Sequence, residues 1–203
     1  DYLHFTDGAR FNAIPGSQDM AISSAPVAAF GFLGSNPAAI TVQGGQLSVA
    51  EGQAISLAGG SITMTGGTTQ SGATQPARLA APGGQINLAS VASPGELLTG
   101  TLEPAPNING QSFGALGAIQ VSQKSLIESS GAGSGAVSIR GGQFVMNDST
   151  ISATATSPGA GPPTPENRGT VTLSASTIQL ENGATIRANA ENGGSAGTIV
   201  VQG

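Results

Sequence analysis

The sequence predicts an all-β chain folded as a right-handed parallel β-helix, a solenoid with extra-helical loops or hairpins. Three observations predict it. Apolar–polar–apolar triplets recur along the chain, they recur at intervals of 7 or 8 residues, and 32 Gly and 12 Pro punctuate 203 residues that contain no Cys and no Trp. A triplet of that kind is a three-residue strand with two side chains pointing inward and one outward.

The triplets are Ile40-Thr41-Val42, Leu47-Ser48-Val49, Ile55-Ser56-Leu57, Ile62-Thr63-Met64, Ile86-Asn87-Leu88, Ile119-Gln120-Val121, Val137-Ser138-Ile139 and Ile178-Gln179-Leu180. From Ile40 the next strands begin 7 and then 8 residues on, at Leu47 and Ile55; from Val171 they begin at Ile178 and Ile186, and from Val137 at Phe144 and Ile151. Three strands and a return make one coil. New coils then start at Ile62 and Ile199, giving periods of 22 and 28, and Val137 to Val171 gives 34. Self-similarity at periods of roughly 20 to 50 residues is the sign of a solenoid, and short strands with tight polar turns select the parallel β-helix. Right-handedness follows the general preference of parallel crossovers. About seven or eight coils roughly 4.8 Å apart make a rod on the order of 35 to 40 Å long. Gly-Gly pairs at 44, 59, 66, 83, 141 and 193 supply corners, where positive φ or close backbone approach is needed. Three stretches are read as excursions outside the rod: 65–84 and 92–117, which carry a hairpin or pack on its side, and 157–168, the inserted loop Ser157-Pro-Gly-Ala-Gly-Pro-Pro-Thr-Pro-Glu-Asn-Arg168. One continuous rod over 1–203 is preferred to a break near residue 100, since the same triplets operate on both sides.

Composition narrows the function classes. Six Lys and Arg against eleven Asp and Glu leave no basic face for phosphates, so nucleic acid is not expected as a partner. Absent Cys removes disulfides, thiolate metal sites and a Cys nucleophile. No apolar run is long enough for a membrane-spanning helix, and no signal peptide is visible in the first residues. With 38% apolar and only 8% charged residues, the chain also differs from a disordered one.

Catalytic chemistry finds little support. The four Asp, at 1, 7, 19 and 148, are dispersed, whereas lyases and hydrolases on this fold need clustered carboxylates with Arg or Lys. Aligning the triplets stacks the turn Asn147-Asp148-Ser149 on Glu181-Asn182-Gly183, with Gln123-Lys124 in the equivalent earlier turn. This is read as a solvated turn ladder ahead of a small polar or weak cation site. His4, the sole histidine, is read as a strand residue at the rod's edge, and Arg140 and Arg187 as surface partners for Asp148 or Glu181 across coils. Asn147-Asp148-Ser149 matches the N-glycosylation pattern by accident of its brevity. The expectation is no enzyme, no catalytic residue, no cofactor and no metal.

The runs Ile40 to Met64 and Ala81-Pro-Gly-Gly-Gln-Ile-Asn-Leu-Ala-Ser-Val-Ala-Ser-Pro-Gly-Glu96 resemble filamentous-haemagglutinin-like exoproteins of the two-partner secretion pathway, particularly the cyanobacterial type. Asp1-Tyr-Leu-His-Phe-Thr-Asp-Gly-Ala-Arg-Phe11 looks like the stretch that follows the Asn-Pro-Asn signature of their secretion domain. Val137-Ser-Ile-Arg-Gly-Gly-Gln-Phe-Val-Met-Asn-Asp-Ser-Thr-Ile-Ser-Ala153 looks like the repeat after it. On that resemblance, 1–100 is the end of the secretion domain and 101–203 the following repeats. Ser35-Asn36-Pro37 and Pro106-Asn107-Ile108-Asn109 do not reproduce the signature itself.

The resemblance implies a non-enzymatic fragment of a large secreted, cell-surface adhesin or haemagglutinin-like protein, outer-membrane associated. Its export partner would be an outer-membrane pore transporter, engaged through the parent protein. Its targets would be a host-cell, neighbouring-cell or glycan surface, met by the excursions. The alternatives are a carbohydrate-active β-helix and a purely structural stalk or filament module that self-associates end to end through open strand edges.

Overall fold

The computed structural model describes residues 1–13, 23–99, 113–132, 135–157, 169–192 and 196–203, and every regular element in them is a β-strand. The triplets build three parallel series, each five strands deep. On the first side β4 (Ile40–Gln43), β7 (Ile62–Thr65), β13 (Ala118–Val121) and the second halves of β16 (Ala136–Asn147) and β19 (Thr170–Glu181) pair in order. The second side holds β5 (Gln46–Ser48), β10 (Arg78–Ala80), β14 (Leu126–Glu128), β17 (Thr150–Ser152) and β20 (Thr185–Arg187). On the third side are β6 (Ala54–Gly59), β11 (Gln85–Ser90), the first halves of β16 and β19, and β21 (Thr198–Gln202). The chain visits the first, second and third sides in turn, so each strand pairs with one from the next pass.

Register aligns like with like. Ile40, Ile62, Ile119, Phe144 and Ile178 form one column. Leu47, Leu79, Ile127, Ile151 and Ile186 form a second, and Ile55, Ile86, Val137, Val171 and Ile199 a third. These columns meet in one core in which Ile62, Leu79, Ile86, Ile119, Ile127, Phe144 and Ile151 are fully buried. Each such side chain contributes about 1.5–3 kcal/mol on removal from water. The expected returns Ile40 to Ile62, Val137 to Val171 and Val171 to Ile199 are all register pairs.

Several expectations need correction. The stack is five layers deep, roughly 20 Å, where seven or eight were expected. Part of the shortfall is the 57-residue pass from Ile62 to Ile119, and part is the residues before Ile40. There β1 (Tyr2–Phe5), β2 (Arg10–Asn12) and β3 (Val27–Phe32) form an antiparallel sheet in the order β12-β3-β1-β2, with β12 (Gly95–Leu98) on its edge. The parallel strands therefore do not run over 1–203, and His4 belongs to this sheet. Val137 and Phe144, expected on separate strands, lie on the single strand β16.

The excursion 65–84 shrinks to the hairpin β8 (Gly67–Thr68) and β9 (Thr74–Gln75). Arg78–Ala80 is a strand inside the stack, with Ala77, Leu79 and Ala81 fully buried. Of 92–117, the part 92–99 packs on the side of the stack through β12, while 100–112 lies outside the described residues. The excursion at 157–168 lies outside them too, apart from Ser157, which ends β18 (Ala155–Ser157), the partner of β15 (Gly131–Ala132).

The glycine pairs act in two ways. Gly44 and Gly83 take the expected positive φ, both 59°. Gly142 sits inside β16, where a Cβ would strike the Leu116 carbonyl oxygen of the preceding pass, so it serves close approach. The pair at 193 is outside the described residues.

Candidate interaction surface on the flank of the stack

The antiparallel sheet begins with a tight turn. Asp7 Oδ1 accepts from the Ala9 N–H at 3.0 Å, Asp7 Oδ2 accepts from the Ser23 hydroxyl at 2.6 Å, and Gly8 supplies φ 87°. These hydrogen bonds, that from Ser23 first, hold the Asp7 carboxyl below its ordinary value. The turn returns β2 onto β1, so that His4 faces Arg10 and Leu3 faces Phe11.

One face of this sheet packs on the stack. Phe32 and Leu97, with Phe30 and Phe113 beside them, cover Ala58, Ala89 and Val91. Phe113 meets Phe32 with ring centroids 6.3 Å apart. This cover explains why Ile86 to Ser90 of β11 are buried without the usual alternation. Towards the first layer the two bodies diverge into an apolar cleft of about 480 Å³, with Phe11, Phe30 and Phe32 facing Ile40 and Leu57.

The other face carries a charged cluster. Tyr2, Gly31 and Glu96 are cross-strand neighbours on β1, β3 and β12. Gly31 has no side chain, and a Cβ there would fall within the Tyr2 ring. The phenol can therefore lie across β3 and donate to Glu96 Oε1 at 2.5 Å, although 94 residues separate the two. His4 Nδ1 meets Glu96 Oε2 at 3.2 Å, and Arg10 Nη2 is 3.5 Å from Oε1. The Arg10 guanidinium also lies over the Tyr2 ring, 4.6 Å from its centroid.

Burial pushes Tyr2 up to about 12, helped by the hydrogen bond and charge of Glu96 and opposed by Arg10. For Glu96, burial acts upward, but the hydrogen bonds from Tyr2 and His4 and the charges of His4 and Arg10 outweigh it and leave the carboxyl below its ordinary value. At neutral pH the cluster is an ionised carboxylate gripped by a neutral phenol, an imidazole and a guanidinium. Both carboxylate oxygens are engaged within the fold. The arrangement is a clasp that fixes β12 to β1 and β2, and it presents no acid/base pair to an open cleft.

A second surface lies at the hairpin. Between β8–β9 and the end of β4 is an open groove of about 620 Å³, lined by Gln43, Gly44, Thr68, Thr69, Gln70 and Gln75. Gln75 Nε2 donates to the Gly44 carbonyl at 2.7 Å and ties the hairpin to the stack. Thr69 Oγ1 accepts from the Ala73 N–H at 3.1 Å and holds the tip. The lining is neutral and offers amide and hydroxyl groups only.

Elsewhere the expected polar ladder forms. Gln123, Lys124, Asp148 and Asn182 all take left-handed φ, between 44° and 59°. Lys124 N–H donates to the Asp148 carbonyl at 2.6 Å and Asp148 N–H to the Glu181 carbonyl at 3.2 Å. Glu181 accepts from Asn147 Nδ2 at 3.2 Å. Arg140 lies on the first half of β16 opposite Ala89 and Ser174, and Arg187 on β20 opposite Ser152, away from that turn. The inter-layer ion pair on the second side is Arg78 with Glu128, 2.7 Å, which sequence reasoning did not single out. Glu96 was missed as well, because no local pattern links it to Tyr2. Among the described residues no three His, Asp or Glu side chains are grouped to hold a metal, and Asp19 lies outside them.

Comparison with family models, with curated proteins and with solved structures finds no match.

Proposed function

We propose that the parallel part of this chain is a right-handed β-helix and that the chain acts as a non-enzymatic, adhesin-like rod of a secreted, two-partner-secretion exoprotein, presenting binding surfaces from its flank. The observation that carries this reading is the division of labour between stack and excursions. The register is continuous through five layers, while the hairpin β8–β9 and the sheet holding β12 leave between strands without disturbing it. A rigid periodic body with variable surface insertions is the arrangement expected of recognition by extended surface and not by pocket. The neutral amide- and hydroxyl-lined groove at the hairpin suits an uncharged polyhydroxylated ligand such as a surface glycan. Export through an outer-membrane pore and residence at the bacterial cell surface follow from the sequence resemblance.

The test is a glycan-array and whole-cell binding assay on the purified chain, with light scattering on the same sample. Saturable binding that disappears in Gln43→Ala/Gln70→Ala supports the reading. Absence of binding by a well-folded sample, with end-to-end oligomers, would replace it with a structural stalk.

A further inference from the structure

The outward polar side chains of the stack are not treated alike on its three sides. On the second side they are tied down: Arg78 pairs with Glu128, Gln46 Nε2 donates to the Pro76 carbonyl at 2.6 Å, and the Ser152 hydroxyl meets that of Ser130 at 2.9 Å. On the third side Asn87 Nδ2 donates to Ser56 Oγ at 3.2 Å, the Ser90 hydroxyl donates to the Gly60 carbonyl at 2.6 Å, and the antiparallel sheet covers Ala58 and Ala89. The first side differs. Its central outward column is Thr41, Thr63, Gln120, Val145 and Gln179, in register through all five layers. The side chains of Thr41, Thr63, Gln120 and Gln179 have no hydrogen-bond partner among the described residues. Thr41, Gln120 and Gln179 are exposed and Thr63 is half-buried. No Lys, Arg, Asp or Glu stands in the column.

This column begins beside the hairpin groove. Gln43 shares the outward face of β4 with Thr41 and lines the groove, and its register partner Thr65 leads into the hairpin. A ligand leaving the groove along the stack therefore meets one row of free amides or hydroxyls after another. Such groups donate and accept at once, as sugar hydroxyls do. Layers follow one another at roughly 4.8 Å, close to the advance of one ring along an extended β-linked polysaccharide. An anionic chain would find no cation in the column. An extended peptide would find no strand edge there, because β7, β13 and β16 are paired on both sides.

We infer that the first side is a track for a linear, uncharged, β-linked polysaccharide, entered at the hairpin groove and running along the stack. The inference rests on the glycan reading of the groove and deepens it from a terminal sugar to a polymer. The column offers no aromatic ring for a sugar to stack on, so each ring is held weakly and affinity accumulates with chain length.

The probes are cellobiose, cellopentaose and the α-linked maltopentaose, titrated calorimetrically against the full chain, the groove variant Gln43→Ala/Gln70→Ala and the track variant Thr63→Val/Gln120→Met. The track variant keeps side-chain shape and removes donors and acceptors, so its thermal unfolding should match that of the parent. Cellopentaose should bind about ten-fold or more tightly than either cellobiose or maltopentaose. The track variant should bring cellopentaose down to the level of cellobiose and leave cellobiose unchanged, whereas the groove variant should weaken both. Equal affinity for cellobiose and cellopentaose, or cellopentaose binding that the track variant does not alter, overturns the track and leaves the groove reading standing. A glycan array that is positive while these three sugars fail also overturns the track alone. Failure of the sugars and of the array together overturns both.

Discussion

Tyr2 reaches Glu96 only because Gly31 leaves the space between them empty, and that contact sets the ionisation of both groups. The raised Tyr2 value means that the neutral phenol contributes stability that is complete below its ordinary value of 10.0 and is lost as pH rises through about 12. The lowered Glu96 value works in the other direction. Its contribution is complete above the ordinary carboxyl range and is lost as pH falls through the folded value. With a single Tyr in the chain, tyrosinate absorbance follows this group alone. The expected native midpoint is about 12, moving down in Glu96→Gln; a native midpoint at the ordinary value would remove the clasp from the account. A second residue-scale prediction concerns Asp148, whose φ of 44° costs an L-residue energy that glycine avoids. Asp148→Gly should be neutral or stabilising by about 0.5–1 kcal/mol, and Asp148→Val should cost about 1–2 kcal/mol, both read from urea unfolding. Equal destabilisation by the two would show that the carboxylate and not the backbone matters there.

Strand β10 shows why one element was legible and another not. Ile62-Thr63-Met64 announces itself because both inward residues are large, whereas Arg78-Leu79-Ala80 has one large inward residue flanked by Ala77 and Ala81. On the second side of the stack alanine or serine stands where a branched residue stands elsewhere: one residue beyond the register pairs Ser48, Ala80, Glu128, Ser152 and Arg187 come Val49, Ala81, Ser129, Ala153 and Ala188. Composition alone reads such a strand as loop. Phe144 and Val137 present the opposite case, where two triplets 7 residues apart imply two strands, but pairing runs on through Gly141-Gly142 and one strand results. Side-chain spacing reports which residues face inward; it does not report whether the strand breaks between them. The columns also rank substitutions. Ile127→Ala, in a fully buried site, should cost about 2–5 kcal/mol, and Ile199→Ala, half exposed on β21, under about 1 kcal/mol. Chemical unfolding of the two variants checks this, and similar losses would mean that Ile199 is buried in solution.

For the whole molecule, the parallel layers were readable because their repetition is one-dimensional. Each triplet needs only to match the next pass, and the returns at Ile62, Val171 and Ile199 follow from counting. The antiparallel sheet was not, because it joins residues 2–32 to 95–98 through pairings that no repeat encodes. The charged cluster was hidden for the same reason. The two bodies differ in chemistry as well: Phe144 is the aromatic residue in the core of the stack, while Tyr2, Phe30, Phe32 and Phe113 belong to the sheet and its seam. Because β11 is covered by the stack on one face and the sheet on the other, its amides should be the slowest to exchange with solvent, and those of β21 the fastest among the parallel strands. Comparable protection at β21 and β11 would contradict the difference in burial between them.

The first column holds its register although the chain takes 22 residues to pass from Ile40 to Ile62 and 57 to pass from Ile62 to Ile119. Path length between layers is thus a free variable, and loop closure penalises it only weakly, by about 0.6 kcal/mol for each doubling. Protein engineering can use that freedom. The junction between Ser90 and Ala118, which already accommodates a long detour, is the natural place to graft a foreign peptide or a small domain for display, with the aliphatic columns on either side keeping the host in alignment.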